Sequence, residues 1–111
     1  MPKNLEFSVM LDLYGALLTP KQFQVMELYY NEDYSLAEIA QTMGITRQGV
    51  HDAEKKSEKL LLGYEEKLGL CSRFRQVKTD LEEIRSIMET WEVGQDKQKI
   101  LERIDNVLEE V

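Results

Sequence analysis

Apolar residues recur along this chain at intervals of three and four, the period of an α-helix, and nowhere alternate as a strand does. Leu5, Val9, Leu13 and Leu17 step by four and predict a first helix over about residues 4–17. Thr19-Pro20 reads as an N-cap followed by proline at the first helical position, and Gln22 completes a capping box. The helix that follows, near 20–31, directs Phe23, Met26 and Tyr30 to one side. A polar break, Asn31 to Tyr34, precedes a second capping box, Ser35 with Glu38, and a short helix near 36–42. Gly44 suits the left-handed end of that helix. Thr46 caps the next, from Arg47 to about Leu68, with Val50, Ala53, Ser57, Leu60 or Leu61, Tyr64 and Leu68 inward. Ser72 is the expected cap of a fifth helix near 73–91. Its apolar residues Phe74, Val77, Leu81, Ile84, Met88 and Trp91 fall at heptad spacing. Gly94 breaks it, Asp96 caps again, and Ile100, Ile104, Val107 and Val111 mark a sixth amphipathic helix. The expected fold class is all-α.

Residues 36–55, LAEIAQTMGITRQGVHDAEK, carry the most specific pattern. A helix-turn-helix packs two short helices steeply across a tight turn. It needs a small residue where they touch (Ala40), a left-handed residue in the turn (Gly44), and apolar residues facing inward (Ile39, Met43, Ile45, Val50, Ala53). All agree in register. Outward, Arg47, His51, Lys55 and Lys59 recur every four residues, flanked by Gln48 and Asp52. Arg47 and Gln48 near the helix start suit base edges, guanine and adenine respectively. Thr46 and the N-terminal N–H groups suit a phosphate, and Lys55, Lys56 and Lys59 suit the backbone on the exit side. Gly49, costly inside a helix, fits either close approach to nucleic acid or packing against the preceding helix. The competing reading of the motif is a packing unit with no ligand. Of the tyrosines, Tyr30 is expected in the core, Tyr29 partly so, and Tyr34 is the one left to stack on a base. Cys71 is expected as a buried, inert thiol.

Residues 17–61 resemble the DNA-binding region four of sigma factors, in which an LTPxQ helix precedes the helix-turn-helix as Leu18-Thr19-Pro20-Lys21-Gln22 does here. Over roughly residues 5–75, including Met10 to Gly15 and Tyr29-Tyr30, the chain resembles the YlxM family of small bacterial proteins. That resemblance implies a DNA-binding helix-turn-helix protein. Because the family is encoded beside the signal recognition particle GTPase, it also implies a regulatory part in that pathway. Contact with the particle's GTPase or RNA, without DNA binding, is the alternative.

Charge complicates the DNA reading. Across 111 residues the net charge is −7 and the isoelectric point is about 4.8. Residues 1–34, 35–72 and 73–111 carry −3, −1 and −3, so the motif lies in the least acidic third. A cationic face must therefore be local, and Asp52, Glu54 and Glu58 lie on or beside the helix that would carry it. Three phosphate contacts give a salt slope of about −3 per protomer, and a dimer doubles it. The heptad positions Phe74 to Trp91 are the expected element of a homodimer, and because three cycles are too short for a free coiled coil, further contacts are required. The chain divides in expectation into a helix-turn-helix domain, 1–70, and a C-terminal helical hairpin, 71–111, that packs back or dimerises.

Other classes find little support. No apolar run approaches the roughly 18 residues of a membrane span. Asp12 interrupts the N-terminal apolar stretch, which makes a poor secretion signal, so a cytoplasmic protein is expected. One Cys and one His exclude an internal disulfide and a Cys/His zinc site. No Gly-rich phosphate loop, HExxH or nucleophile–base pair is present, and neither enzyme activity nor a cofactor is expected.

Overall fold

The computed structural model describes residues 6–91 and 95–110, with backbone alone at 95 and 110. Its helices are α1 (Glu6–Tyr14), α2 (Pro20–Met26), α3 (Leu36–Met43), α4 (Arg47–Leu68), α5 (Leu70–Met88) and α6 (Gln95–Glu110). No strand occurs among the described residues. Leu5, Gly94 and Val111, used in the sequence reading, lie outside them. The chain forms two compact units, up to Cys71 and from Ser72.

In the first unit, both expected capping boxes are formed. Thr19 and Gln22 exchange bonds of 3.2 and 3.0 Å, and Ser35 and Glu38 bonds of 3.1 and 3.0 Å. The first helix is shorter than expected, because a 3-10 turn, Gly15–Leu17, follows Tyr14. Its buried face also differs. Phe7, Met10, Leu11 and Tyr14 are buried, whereas Val9 and Leu17 are exposed. A step of four drifts about 40° each time, so the inward face follows i, i+3, i+4, i+7 instead. Gly15 is required where α1 turns toward α2: a Cβ there would meet the Phe23 ring at 2.7 Å.

α2 continues as a π-helical turn, Glu27–Asn31. The wider turn lets consecutive tyrosines serve two clusters. Tyr30 packs on Phe7, Met10, Tyr14, Met26 and Leu61, while Leu28 and Tyr29 pack on Val25, Ile39 and Val50. Tyr34 is half-buried against that second cluster, so the residue left for base stacking is part of the core. Phe23, expected inward, keeps 39% of its surface exposed.

α5 starts at Leu70, one residue after the left-handed Gly69 (φ 64°), so Ser72 is not its cap. The orphan N–H groups of its first turn are taken from elsewhere. The Leu70 N–H donates to the Tyr14 hydroxyl (3.0 Å) and the Cys71 N–H to Glu65 Oε1 (2.8 Å). The Tyr14 hydroxyl donates in turn to Glu65 Oε1 at 2.7 Å. Burial, then the Glu65 bond, raises the Tyr14 phenol above its usual value. Cys71 is buried in the same core.

In the second unit α5 and α6 form a hairpin. Met88, Leu101 and Ile104 are buried, with Leu81 and Leu108 against them. Arg85 Nε binds Asp105 Oδ1 at 2.7 Å, and Arg85 also pairs with Glu89. The Lys97 amine donates to the Trp91 carbonyl at 2.6 Å, serving orphan carbonyls at the end of α5. Asp96 lies within α6 rather than capping it. Of the heptad positions only Leu81 and Met88 join this packing. Phe74, Val77, Ile84 and Trp91 are exposed. On α6, Leu101 and Leu108 take the inward places expected of Ile100 and Val107.

Candidate nucleic-acid interface

The motif is built as its spacing demands. The α3 helix ends at Gly44 with φ 67° and ψ 34°, and the Ile45 N–H donates back to the Ala40 carbonyl at 3.1 Å. Ala40, Met43, Ile45 and Ala53 pack around Val25, Ile39 and Val50, the last three with no exposed surface. Thr46 then caps α4, accepting from the Gly49 N–H at 2.9 Å. Of the two readings of Gly49, packing against the preceding helix is not what the structure shows. A Cβ at that position would meet only the Thr46 hydroxyl, at 3.1 Å, and nothing of α3.

Outside this core, Thr46, Arg47, Gln48, His51, Asp52, Lys55, Lys56 and Lys59 are all exposed. Arg47, Gln48 and His51 line one hollow of about 300 Å³ together with Leu36, the first residue of α3. Spacing along α4 could not identify Leu36. Its place at the start of the first motif helix, which crosses the nucleic-acid backbone in such motifs, is the signal that could have. Asp52 acts on its neighbours: the Gln48 amide donates to its Oδ1 at 2.9 Å, and His51 Nδ1 lies 3.8 Å from the same oxygen. The Gln48–Asp52 bond lies on the exposed side of α4.

The three lysines are not equivalent. Lys55 Nζ sits 3.3 Å from Glu58 and 3.9 Å from Glu54, and these carboxylates, Glu54 foremost, raise its pKa. Much of its charge is thus offset. Lys56 and Lys59 make no ion pair among the described residues. Glu54 and Glu58, acids of the recognition helix, turn toward Tyr30. Glu54 is 3% exposed. The Tyr30 hydroxyl lies 2.6 Å from Glu58 and 3.1 Å from Glu54. One phenol has one proton to donate, so one carboxyl of the pair must hold its own. Burial, reinforced by the adjoining Glu58, pushes Glu54 up to about 7. Burial also acts on Glu58, but the bonds from Tyr30 and then Glu54 outweigh it and lower its pKa. The Tyr30 phenol is itself raised by burial and by both acids.

Among the described residues no group of His, Cys, Asp and Glu is arranged to hold a metal, and no helix is long and apolar enough to cross a membrane.

Fold and motif together define an all-helical helix-turn-helix protein. The family it belongs to is the one described as "Putative helix-turn-helix protein, YlxM / p13 like", whose model matches residues 1–106. The chain is 41% identical to a UPF0122 protein of Acetivibrio thermocellus, covering 100% of this chain and 97% of that one. It is 49% identical to a relative from Desulforamulus reducens, over 76% of this chain and 72% of the other. A relative from Halalkalibacterium halodurans is 35% identical, over 96% and 98%.

Proposed function

We propose that this chain is a DNA-binding regulator that inserts the first turns of α4 into a major groove, a role of binding rather than catalysis. The observation that carries the reading is the hollow where Arg47, Gln48 and His51 converge beside Leu36 on a rigidly packed motif. Arg47 reads a guanine edge. Gln48, its amide bonded to Asp52, keeps its carbonyl oxygen as an acceptor, and Leu36 offers apolar contact to a thymine methyl. Thr46 with the helix N-terminus, then Lys56 and Lys59, bind phosphates. Lys55 contributes less because of Glu58.

The test is a titration of duplex DNA by fluorescence anisotropy at several salt concentrations. The expected slope of log K against log salt is about −2 to −3 per protomer, and two copies on one duplex double it. Absence of salt-dependent binding at low ionic strength removes the reading.

The second reading is that the partner belongs to the signal recognition particle, its GTPase or RNA, and one observation favours the protein. The net charge of −7 and the offset of Lys55 suit a basic protein surface better than free DNA. Capture of the purified particle protein or its RNA, with no duplex binding, is the outcome expected from that reading. Both readings describe a cytoplasmic protein.

A further inference from the structure

The hairpin of α5 and α6 has two unlike edges. One is closed by the ion pair between Arg85 and Asp105. The other is an open hollow lined by Leu81, Ile100, Ile104 and Val107, with Lys99 and Arg103 at its rim. Helical period extends this second edge into a face. Counting round α5, Arg85 lies on one side of the line through Leu81 and Met88. Ile84, Ile87 and Trp91 lie on the other, within about 60° of one another. Counting round α6, Asp105 lies on one side of the buried residues and Ile100 and Val107 on the other. Since Arg85 and Asp105 meet on one edge, the remaining apolar residues of both helices share the opposite face. All five are exposed: Ile84 46%, Ile87 54%, Trp91 57%, Ile100 45% and Val107 36%. A 16-residue helix beside another offers a face on the order of 24 Å by 20 Å, about 480 Å² in projection, a small interface beside the roughly 800 Å² per partner of the standard size.

Charge names the occupant. By the same period, over the stretch that α6 lines, Glu83 flanks this face on the α5 side, while Asp80 falls within the face itself. The bases Lys99 and Arg103 flank it on the α6 side. A second hairpin turned by a two-fold axis parallel to the helices sets α5 of one copy on α6 of the other. Acid then meets base along both borders. The other two-fold arrangement stacks α5 on α5 and α6 on α6, like charge on like.

We infer that this face binds a second copy of the chain, forming an antiparallel four-helix bundle in which Glu83 of each protomer pairs with Arg103 of its partner. Isologous contact of this kind is the commonest form of homodimer. It takes up the apolar surface that the hairpin leaves open. The inference does not rest on DNA binding.

Sedimentation equilibrium of the full chain, without nucleic acid, tests it. The expected mass at tens of micromolar is twice 13.0 kDa. Ile87→Glu, with helicity unchanged by circular dichroism, weakens association about a hundred-fold or more. Glu83→Arg and Arg103→Glu each weaken it about ten-fold, and the double reversal returns to within about three-fold of the parent. A mass of 13.0 kDa up to about 100 µM overturns the proposal. So does a dimer indifferent to the single reversals, or a double reversal weaker than either single one. A monomer that still bound duplex DNA would remove this interface and leave the proposed function standing.

Discussion

The two units spend their apolar residues differently. Up to Cys71, four helices and a π-turn enclose Val25, Met26, Ile39, Val50 and Leu61 with no exposed surface. From Ser72, two helices bury only Met88, Leu101 and Ile104, and leave five large apolar side chains on one face. A two-helix layer cannot enclose a core; it has one inside face and needs a third layer for the other. The contrast separates two kinds of surface. The first unit, its core complete, presents charge and hydrogen-bonding groups along the outer side of the motif, and its exposed apolar residues, Val9, Leu17, Phe23, Leu62 and Leu68, are distributed over α1, the turn after it, α2 and α4. The second presents apolar area rimmed by charge, which suits a protein.

The sharpest way to break this contrast is paired truncation. Ile39→Ala, in the completed core, is expected to cost about 3 kcal/mol in urea unfolding. Ile87→Ala, measured in dilute protein, is expected to stay within about 0.5 kcal/mol. Equal costs would mean that the hairpin face is already covered within one chain.

Next in size is a contrast of charge. Replacing Arg47 and Gln48 together by alanine is expected to weaken binding to the preferred duplex about thirty-fold, with little change for unrelated duplexes. Lys56→Gln or Lys59→Gln should lower the salt slope by about one each, whatever the duplex. Lys99→Gln, in the hairpin, should leave both unchanged. A slope that moved with Lys99 instead would shift the nucleic-acid surface to the second unit.

Much of the first unit was legible in the order of residues, because local chemistry dictated it. Thr19, Ser35, Gly44 and Thr46 satisfy helix ends within four residues of themselves, so their roles are written in adjacent sequence. Partnerships across long separations were not. Tyr14 supplies a hydroxyl to the start of α5, 56 positions away, and Tyr30 reaches Glu54 across 24. Glu54 was hidden by its own chemistry. It falls on the inward line Val50–Glu54–Ser57–Leu61, but an acid there reads as an outer-face residue until its partner is known. In the hairpin the heptad spacing ran together positions that the fold separates. Leu81 and Met88 serve α6, and the same spacing cannot say that Ile84 and Trp91 face elsewhere.

Glu54 gives the next contrast, within α4 itself. With a folded pKa of about 7 against an ordinary value of 4.5, it keeps a proton that the unfolded chain releases. Its contribution to stability is full below about 4.5 and is lost as pH rises through about 7. Glu58, lowered, contributes the opposite sign, in a window below 4.5. Stability of the first unit is therefore expected to fall by on the order of 1–2 kcal/mol between pH 5 and pH 8. In Glu54→Gln that fall should disappear and the chain should be the more stable at pH 8. Chemical unfolding at the two pH values reads it directly, and a variant as pH-dependent as the parent would place the proton elsewhere.

The smallest expected effect compares two glycines of the same helix. At Gly63 a Cβ would meet nothing within 4 Å. Alanine there gains helix propensity and reduces the freedom of the unfolded chain, so Gly63→Ala should stabilise by about 0.5–1 kcal/mol. Gly49 has the same propensity to gain, but its added Cβ would lie 3.1 Å from the Thr46 hydroxyl, the atom that caps α4 by accepting the Gly49 N–H. Gain and loss nearly cancel, and Gly49→Ala should change stability by less than about 0.5 kcal/mol. A double-mutant cycle separates the two terms. In a Thr46→Ala background, itself about 1 kcal/mol less stable, the opposing hydroxyl is gone and Gly49→Ala should become as stabilising as Gly63→Ala. If instead Gly49→Ala costs stability in both backgrounds, the glycine is required by something other than the cap. A Gly49→Ala chain of unchanged stability but weakened duplex binding would locate that requirement at close approach of the α4 backbone to nucleic acid.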